Sequence, residues 1–229
     1  MILDQFRLDG RVALVTGGDK GLGQAAAIGL AEAGADVATL SRQPADGTAE
    51  AVRRLGRRFL AIRCDLRETS VADLQGIVGQ VVANLGRLDI LVNNAGIVRR
   101  APALEFCETD WDDILQINLK ALFFLSQAAA RVMAQQGGGK IINIASMTTY
   151  RGYEALSPYG ISKAGVANLT RYLAVEWAKY NIQANAIAPG WIETPMTAGM
   201  GKGRRQWVIE HTPQGKFGQP RDVAALAVY

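Results

Sequence analysis

Short runs of β-branched and aliphatic residues alternate along this chain with longer stretches in which apolar positions recur at helical spacing. The apolar runs fall at 12–16, 37–40, 59–62, 90–92, 141–145 and 184–188, and the helical stretches lie near 22–33, 48–55, 70–85, 110–135 and 159–180. Strand-length runs interleaved with amphipathic helices are the pattern of βαβ units around a parallel sheet. The prediction is an α/β fold: a doubly wound parallel sheet of Rossmann type, flanked by helices in three layers. No linker, repeat or low-complexity tract interrupts the series, so one domain over 1–229 is expected. After Pro189 the period fails. The segment 191–218 holds Gly199, Gly201, Gly203 and two prolines without a clean repeat, and a long irregular segment in such a domain predicts a lid, here about 190–218, over a substrate.

Composition narrows the function classes. With 229 residues, 49% hydrophobic and 20% charged, the chain can bury a sizeable core, which excludes a disordered or fibrous protein. No apolar run approaches the roughly 18 residues of a membrane span, and the opening residues lack the layout of a signal peptide. A cytoplasmic protein is expected, with no membrane partner. Cys64 and Cys107 have neither disulfide-scaffold nor metal-ligand spacing, so no metal is predicted. The net charge of +4 arises from 25 basic and 21 acidic side chains. Its densest part, Arg53, Arg54, Arg57 and Arg58, has helical spacing and no interleaved aromatics. That predicts a solvated helix face, and no nucleic-acid partner. A smaller basic group is Lys202, Arg204 and Arg205.

The run from Leu14 to Gly23 leaves the first predicted strand and opens the first helix. Gly17, Gly21 and Gly23 permit a tight turn and let backbone N–H groups approach a pyrophosphate at the positive end of a helix. The spacing is T-G-x-x-x-G-x-G and departs from G-x-G-x-x-G. Farther on, Asn93-Asn94-Ala95-Gly96 follows the fourth strand. Tyr159 and Lys163 stand four apart on a predicted helix, hence on one face. Ser157-Pro158 reads as the N-cap and first position of that helix. An ammonium about 4 Å from a phenolate gains on the order of 4 kcal/mol at an effective dielectric near 20, or about three pKa units. The tyrosine is therefore expected to move towards neutrality and to serve as a general acid or base. No G-x-S-x-G elbow frames a serine, which disfavours a Ser-His-Asp hydrolase. His211, the single histidine, reads as a surface or substrate-facing residue.

Taken in order, TGxxxGxG, NNAG, Ser146 thirteen residues before YxxxK, and Pro189-Gly190 with Thr194 four residues on resemble the short-chain dehydrogenase/reductases, over nearly the whole chain. The resemblance implies hydride transfer between a nicotinamide dinucleotide and a secondary alcohol or ketone, without metal. It makes Tyr159 the acid/base, Ser146 the hydroxyl that holds the reacting oxygen, and Lys163 the cation that lowers the tyrosine pKa and binds the nicotinamide ribose. Asn118 matches the fourth member, which anchors a water in a proton relay; its alternative is an amide with only a local hydrogen bond. Cofactor contacts are implied at Gly17, Asp19, Lys20, Gly21, Leu22 and Gly23 in the turn, and at Ser41 and Arg42 after the second strand. They continue at Asp65 and Leu66 after the third, at Asn93, Ala95 and Gly96, and at Pro189, Gly190, Ile192 and Thr194. A carboxylate after the second strand would repel a 2′-phosphate. Ser41-Arg42 stand there instead, and with Lys20 they favour NADP(H) over NAD.

Ile97-Val98-Arg99-Arg100 and Trp111-Asp112-Asp113 resemble the branch containing 2-deoxy-D-gluconate and 2-keto-3-deoxygluconate dehydrogenases, and more distantly gluconate 5-dehydrogenase. Arg99 and Arg100 are candidates for pairing a sugar-acid carboxylate, with solvated or subunit-contact side chains as the alternative. A 3-oxoacyl carrier-protein reductase is a second enzyme reading, and a non-catalytic dinucleotide-binding scaffold or sensor is one from another class. The resemblance further implies a homodimer or homotetramer built on the helices of 110–135 and 159–180. It also implies a continuation after Val228-Tyr229, through the rest of a helix and a seventh strand, that this sequence does not contain.

Overall fold

In the computed structural model, which describes residues 1–229, each of the six apolar runs is a strand: β1 (Val12–Thr16), β2 (Asp36–Ser41), β3 (Phe59–Arg63), β4 (Ile90–Asn93), β5 (Gly139–Ile144) and β6 (Ile182–Ile187). All neighbours pair in parallel in the order β3-β2-β1-β4-β5-β6. The order reverses between β1 and β4, and the carboxyl ends of the strands on either side of that point open a crevice. Nine helices connect and cover the sheet: α1 (Gly21–Glu32), α2 (Asp46–Arg54), α3 (Val71–Leu85), α4 (Glu108–Leu115), α5 (Leu122–Gln135), α6 (Ser157–Trp177), α7 (Pro195–Ala198), α8 (Lys202–Glu210) and α9 (Pro220–Val228). None is long and apolar enough to cross a membrane.

Side chains of a strand alternate between faces, and each central strand here feeds two cores. From β1, Val12 and Leu14 join Leu74, Val81, Leu125 and Met133 of α3 and α5, while Ala13 and Val15 join Ala27 and Leu30 of α1 and Val223 of α9. Burial on both faces is why the strands read as continuous apolar runs. The strand that starts this sheet is held by Asp89, which accepts from the Val12 N–H at 3.0 Å and from Arg11 and Arg87 at 2.9 and 2.6 Å. Burial opposes the charge of Asp89, but these hydrogen bonds outweigh it and hold the carboxyl below its ordinary range.

Three expectations need correction. The helix predicted over 110–135 is divided: between α4 and α5 the chain makes a wider π turn over Gln116–Ala121. The 191–218 segment is not irregular, since α7 and α8 lie within it, and its two ends pair through Glu193 N to Gly218 O and Gly218 N to Trp191 O, both 2.9 Å. The glycines hid this helix: Gly203 lies inside α8, and tertiary contacts at the fully buried Val208 override its low propensity. Finally, Ser157 is the first residue of α6, not its cap; Leu156 occupies the cap position and no side chain caps the helix.

Candidate active site

The turn after β1 shows why it carries glycine. Gly17 and Gly21 have φ of +65° and +58°, the left-handed region that side chains disfavour. Gly23 packs so closely that a Cβ would stand 2.1 Å from the Gly17 carbonyl oxygen. The turn is tied to the end of β4: Thr16 Oγ1 accepts from the N–H groups of Asn94 and Ala95 at 2.9 Å, and Asn94 Nδ2 donates to Thr16 O at 2.9 Å. The glycine turn and NNAG thus form one cradle beside the start of α1.

From this cradle a cavity of about 320 Å3 runs along the carboxyl edge of the sheet, a size suited to a small-molecule ligand. One end is lined by Ser41, Arg42, Asp65 and Leu66, and the middle by Gly17, Asp19, Lys20, Gly21 and Leu22. The other end has Ala95, Gly96, Ser146, Tyr159 and Lys163, with Pro189, Gly190, Ile192 and Thr194 above. The glycine cradle, the helix N-terminus and the exposed cations Lys20 and Arg42 fit a dinucleotide. Arg42 lies 3.8 Å from Asp65, a loose pair that leaves the arginine side chain 63% exposed.

Several residues implied as contacts lie elsewhere. Gly23 is buried behind the turn and shapes it without lining the cavity. Asn93 points into the core, donating to Ser126 Oγ and Asn143 Oδ1 at 2.8 Å, and its neighbour Asn94 lines the cavity instead. Asn93 is the last residue of β4, and Asn94 stands in the tight turn just past it, where its N–H donates to Val92 O at 3.1 Å. Sequence reasoning passed over Ile144, Met196 and Thr197, which also line the cavity. Ile144 read simply as strand core, and the two lid residues lay in a stretch with no period.

Ser146 stands two residues past the end of β5 and caps a short turn, Met147–Thr149, whose first N–H donates to Pro189 O at 3.0 Å. The Ser146 hydroxyl accepts from Thr148 N at 3.2 Å and faces the Tyr159 phenol. Tyr159 and Lys163 project from the first turns of α6. Asn118, fully buried in the π turn, accepts from Ile97 N at 2.8 Å through Oδ1. Its Nδ2 donates to Ile97 O and Ser162 Oγ, both at 3.0 Å. Its amide clamps the Gly96–Ile97 backbone to α6; a Cβ on Gly96 would meet Asn118 Oδ1 at 3.1 Å and Lys163 Nζ at 3.5 Å.

The electrostatics of this group differ from the sequence expectation. Lys163 Nζ donates to Ile144 O at 2.6 Å and lies 5.9 Å from the centre of the Tyr159 ring. Burial raises the Tyr159 pKa above its ordinary value, partly offset by Ser146 and the positive charge of Arg100. Burial also lowers Lys163 to about 8. The phenol accordingly holds its proton at neutral pH and is poised as an acid. Of the two candidate substrate arginines, Arg99 is committed to Asp110 at 3.2 Å, whereas Arg100 stays within electrostatic reach of Tyr159.

Comparison with known proteins agrees with this geometry. A family model described as short chain dehydrogenase matches residues 11–205. The chain is 47% identical over 232 residues to 2-dehydro-3-deoxy-D-gluconate 5-dehydrogenase of Escherichia coli (strain K12), covering 100% of this chain and 91% of the relative. It is 37% identical to gluconate 5-dehydrogenase of Gluconobacter oxydans (strain 621H), covering 99% and 89%. Among solved structures it is similar to a gluconate 5-dehydrogenase from Burkholderia cenocepacia J2315 in complex with NADP and tartrate. There the TM-score is 0.92 and the identity 37%, covering 100% of this chain and 90% of the other.

Proposed function

This chain belongs to the short-chain dehydrogenase family, and from that membership we propose that it is an oxidoreductase exchanging a hydride between NAD(P)(H), preferentially NADP(H), and a secondary alcohol or ketone of a sugar acid. The substrate class is that of 2-keto-3-deoxygluconate, 2-deoxy-D-gluconate and gluconate, as the names of the similar enzymes indicate. The observation that carries the reading is the meeting of Ser146, Tyr159 and Lys163 at one end of a cavity that has the glycine cradle at its middle and Arg42 at its other end.

The nicotinamide, when bound, supplies or accepts the hydride. The protein's part is positional and protonic. In reduction, Tyr159 Oη gives its proton to the oxygen of the carbonyl whose carbon receives the hydride, and in oxidation it takes that proton back. Ser146 Oγ orients the reacting oxygen against Tyr159. Lys163, seated on Ile144 O, places a cation behind the site. Asn118 keeps the Gly96–Ile97 backbone closed against α6. Arg100 offers its guanidinium to the substrate carboxylate, and the 190–218 segment covers it as a lid. The reading includes a cytoplasmic homodimer or homotetramer, supported by Tyr172 and Val175 of α6, 60% and 79% exposed.

The test is nicotinamide absorbance during incubation with NADP+ or NAD+ and each of the three sugar acids, alongside a ketoacyl thioester. Turnover of a sugar acid that falls about a thousandfold or more in Tyr159→Phe, with cofactor binding retained, is the expected result. Cofactor binding without turnover of any sugar acid would sink it.

A further inference from the structure

The cavity end that holds Arg42 is walled by the chain leaving β3. Cys64, Asp65, Leu66 and Arg67 all line it, yet none of them lies in a strand or helix. The loop begins on the sheet, where Cys64 N donates to Ser41 O at 3.1 Å. Beyond that point its own bonds are short-range. Thr69 Oγ1 donates to Asp65 O at 2.6 Å, Arg67 N donates to Asp65 Oδ1 at 3.0 Å, and Cys64 Sγ lies 2.9 Å from Thr69 Oγ1. These contacts fold the loop on itself without fixing where it stands against the rest of the protein.

That hold comes from residues far along the chain. Gln116 Nε2 donates to Leu66 O at 3.2 Å and to Thr69 O at 3.4 Å, and Arg67 Nε pairs with Asp113 Oδ2 at 3.2 Å. Asp113 and Gln116 stand three residues apart where α4 passes into the π turn, hence on one face. The next two residues turn elsewhere. Ile117 is buried and lines the same cavity, and Asn118 clamps the backbone of Ile97. Three consecutive residues thus serve the loop wall, the cavity surface and the catalytic end in succession.

Resting on the reading of this cavity as a nicotinamide-dinucleotide site, we propose that Gln116 is a positioning residue for the cofactor's adenosine: it holds the 65–69 loop in its binding shape before the cofactor arrives. Two loop carbonyls that belong to no helix or sheet ladder find their partner in one amide. Without that amide they turn to water and the loop gains freedom. The cofactor must then order the loop as it binds, which weakens affinity and leaves the chemistry alone. Adenosine is common to NADP(H) and NAD(H), so both weaken alike, which separates Gln116 from Arg42 and its 2′-phosphate. Ser146 and Tyr159 lie at the opposite end of the cavity, so turnover at saturating cofactor is preserved.

The experiment titrates NADPH and NADH by fluorescence, with AMP as competitor, in the parent and three variants. Gln116→Met keeps the side chain's length and removes its donors, Gln116→Glu sets an acceptor against two acceptors, and Lys120→Gln changes an exposed residue of the same turn. Gln116→Met should raise Kd about fivefold for NADPH, NADH and AMP alike, with kcat at saturating cofactor within about twofold. Gln116→Glu should lose more, and Lys120→Gln should resemble the parent. A second readout needs no cofactor. In a Cys107→Ser background Cys64 is the single thiol, and Gln116→Met should make it react several-fold faster with a disulfide reagent as the loop opens. Unchanged Kd in Gln116→Met, a loss confined to NADPH, an equal loss in Lys120→Gln, or unchanged Cys64 reactivity overturns the proposal while the dinucleotide reading stands. A parent that binds neither dinucleotide overturns both.

Discussion

Lys163 Nζ sits on the carbonyl oxygen of Ile144 at 2.6 Å, so the last residue of β5, and not the neighbouring phenol, is the ammonium's direct partner. One carbonyl is little compensation for a buried cation, and Lys163 is lowered by burial to about 8 from 10.5. The folded protein thus binds fewer protons than the unfolded chain between those values. The buried charge costs stability below pH 8, and stability rises with pH as the group is neutralised towards 10.5.

Lys163→Met should consequently abolish turnover without lowering stability at pH 7. The relief is on the order of 3 kcal/mol, and about 1–3 kcal/mol is lost again by leaving the Ile144 carbonyl unpaired. Chemical denaturation at pH 7 and pH 9.5 checks this. The variant should compare best with the parent at pH 7 and lose ground at pH 9.5, and the reverse order would contradict the account.

Tyr159 gives a second prediction, in pH dependence. Its burial-raised pKa means that alcohol oxidation, which needs the phenolate, climbs as pH rises, whereas ketone reduction is sustained through neutral pH and declines only at alkaline values. Because the positive charge of Arg100 favours the phenolate, Arg100→Gln should move the rising limb of kcat/KM for oxidation to higher pH. An unmoved limb with a neutral secondary alcohol as substrate would show that Arg100 does not act on the phenol.

At the other end of the cavity, Arg42→Ala should weaken NADP(H) while leaving NAD(H) nearly unchanged. An exposed guanidinium paired only loosely with Asp65 is free for a 2′-phosphate, and such a charge-assisted contact contributes about 1 kcal/mol or more in water. The KM for NADP(H) should rise about five- to tenfold. Parallel titrations of the two cofactors test it, and equal changes in both would remove Arg42 from the selection.

Asp89 makes a prediction about stability alone. Asp89→Asn at the head of β1 should cost about 1–3 kcal/mol near neutral pH, since one carboxylate serves Val12 N, Arg11 and Arg87 together. Its folded pKa lies below 3.8, so the contribution is complete above that value and disappears as pH falls through the folded pKa. Urea midpoints for parent and variant should differ by a constant amount from pH 8 to pH 5 and converge below 3.8.

The strands were legible because double-sided burial makes each a run of aliphatic residues, as in β1, where all five residues are buried. The glycine turn and the Tyr159/Lys163 pair were legible because they depend on local spacing. What escaped the sequence depends on distant partners. That Lys163 would choose the Ile144 carbonyl over Tyr159 follows from β5 ending beneath α6. That Arg99 would be taken by Asp110 while Arg100 stayed free follows from where α4 begins. Helix α8 was invisible because the contacts that stabilise it, at Arg205 and Val208, reach outside the helix itself.

The wide turn at Gln116–Ala121 makes the spacing of the chain, as well as its chemistry, part of the site. A π turn holds one residue more than an α turn over the same rise. Removing a single residue from it would heal α4 and α5 into one continuous helix with every hydrogen bond intact. Yet each residue of an α-helix turns the next by about 100°, so Asn118 would swing away from Ile97 and Ser162. Deletions here should therefore be tolerated far less than substitutions at neighbouring exposed positions such as Lys120. The length of this helix, counted in residues, is itself under constraint.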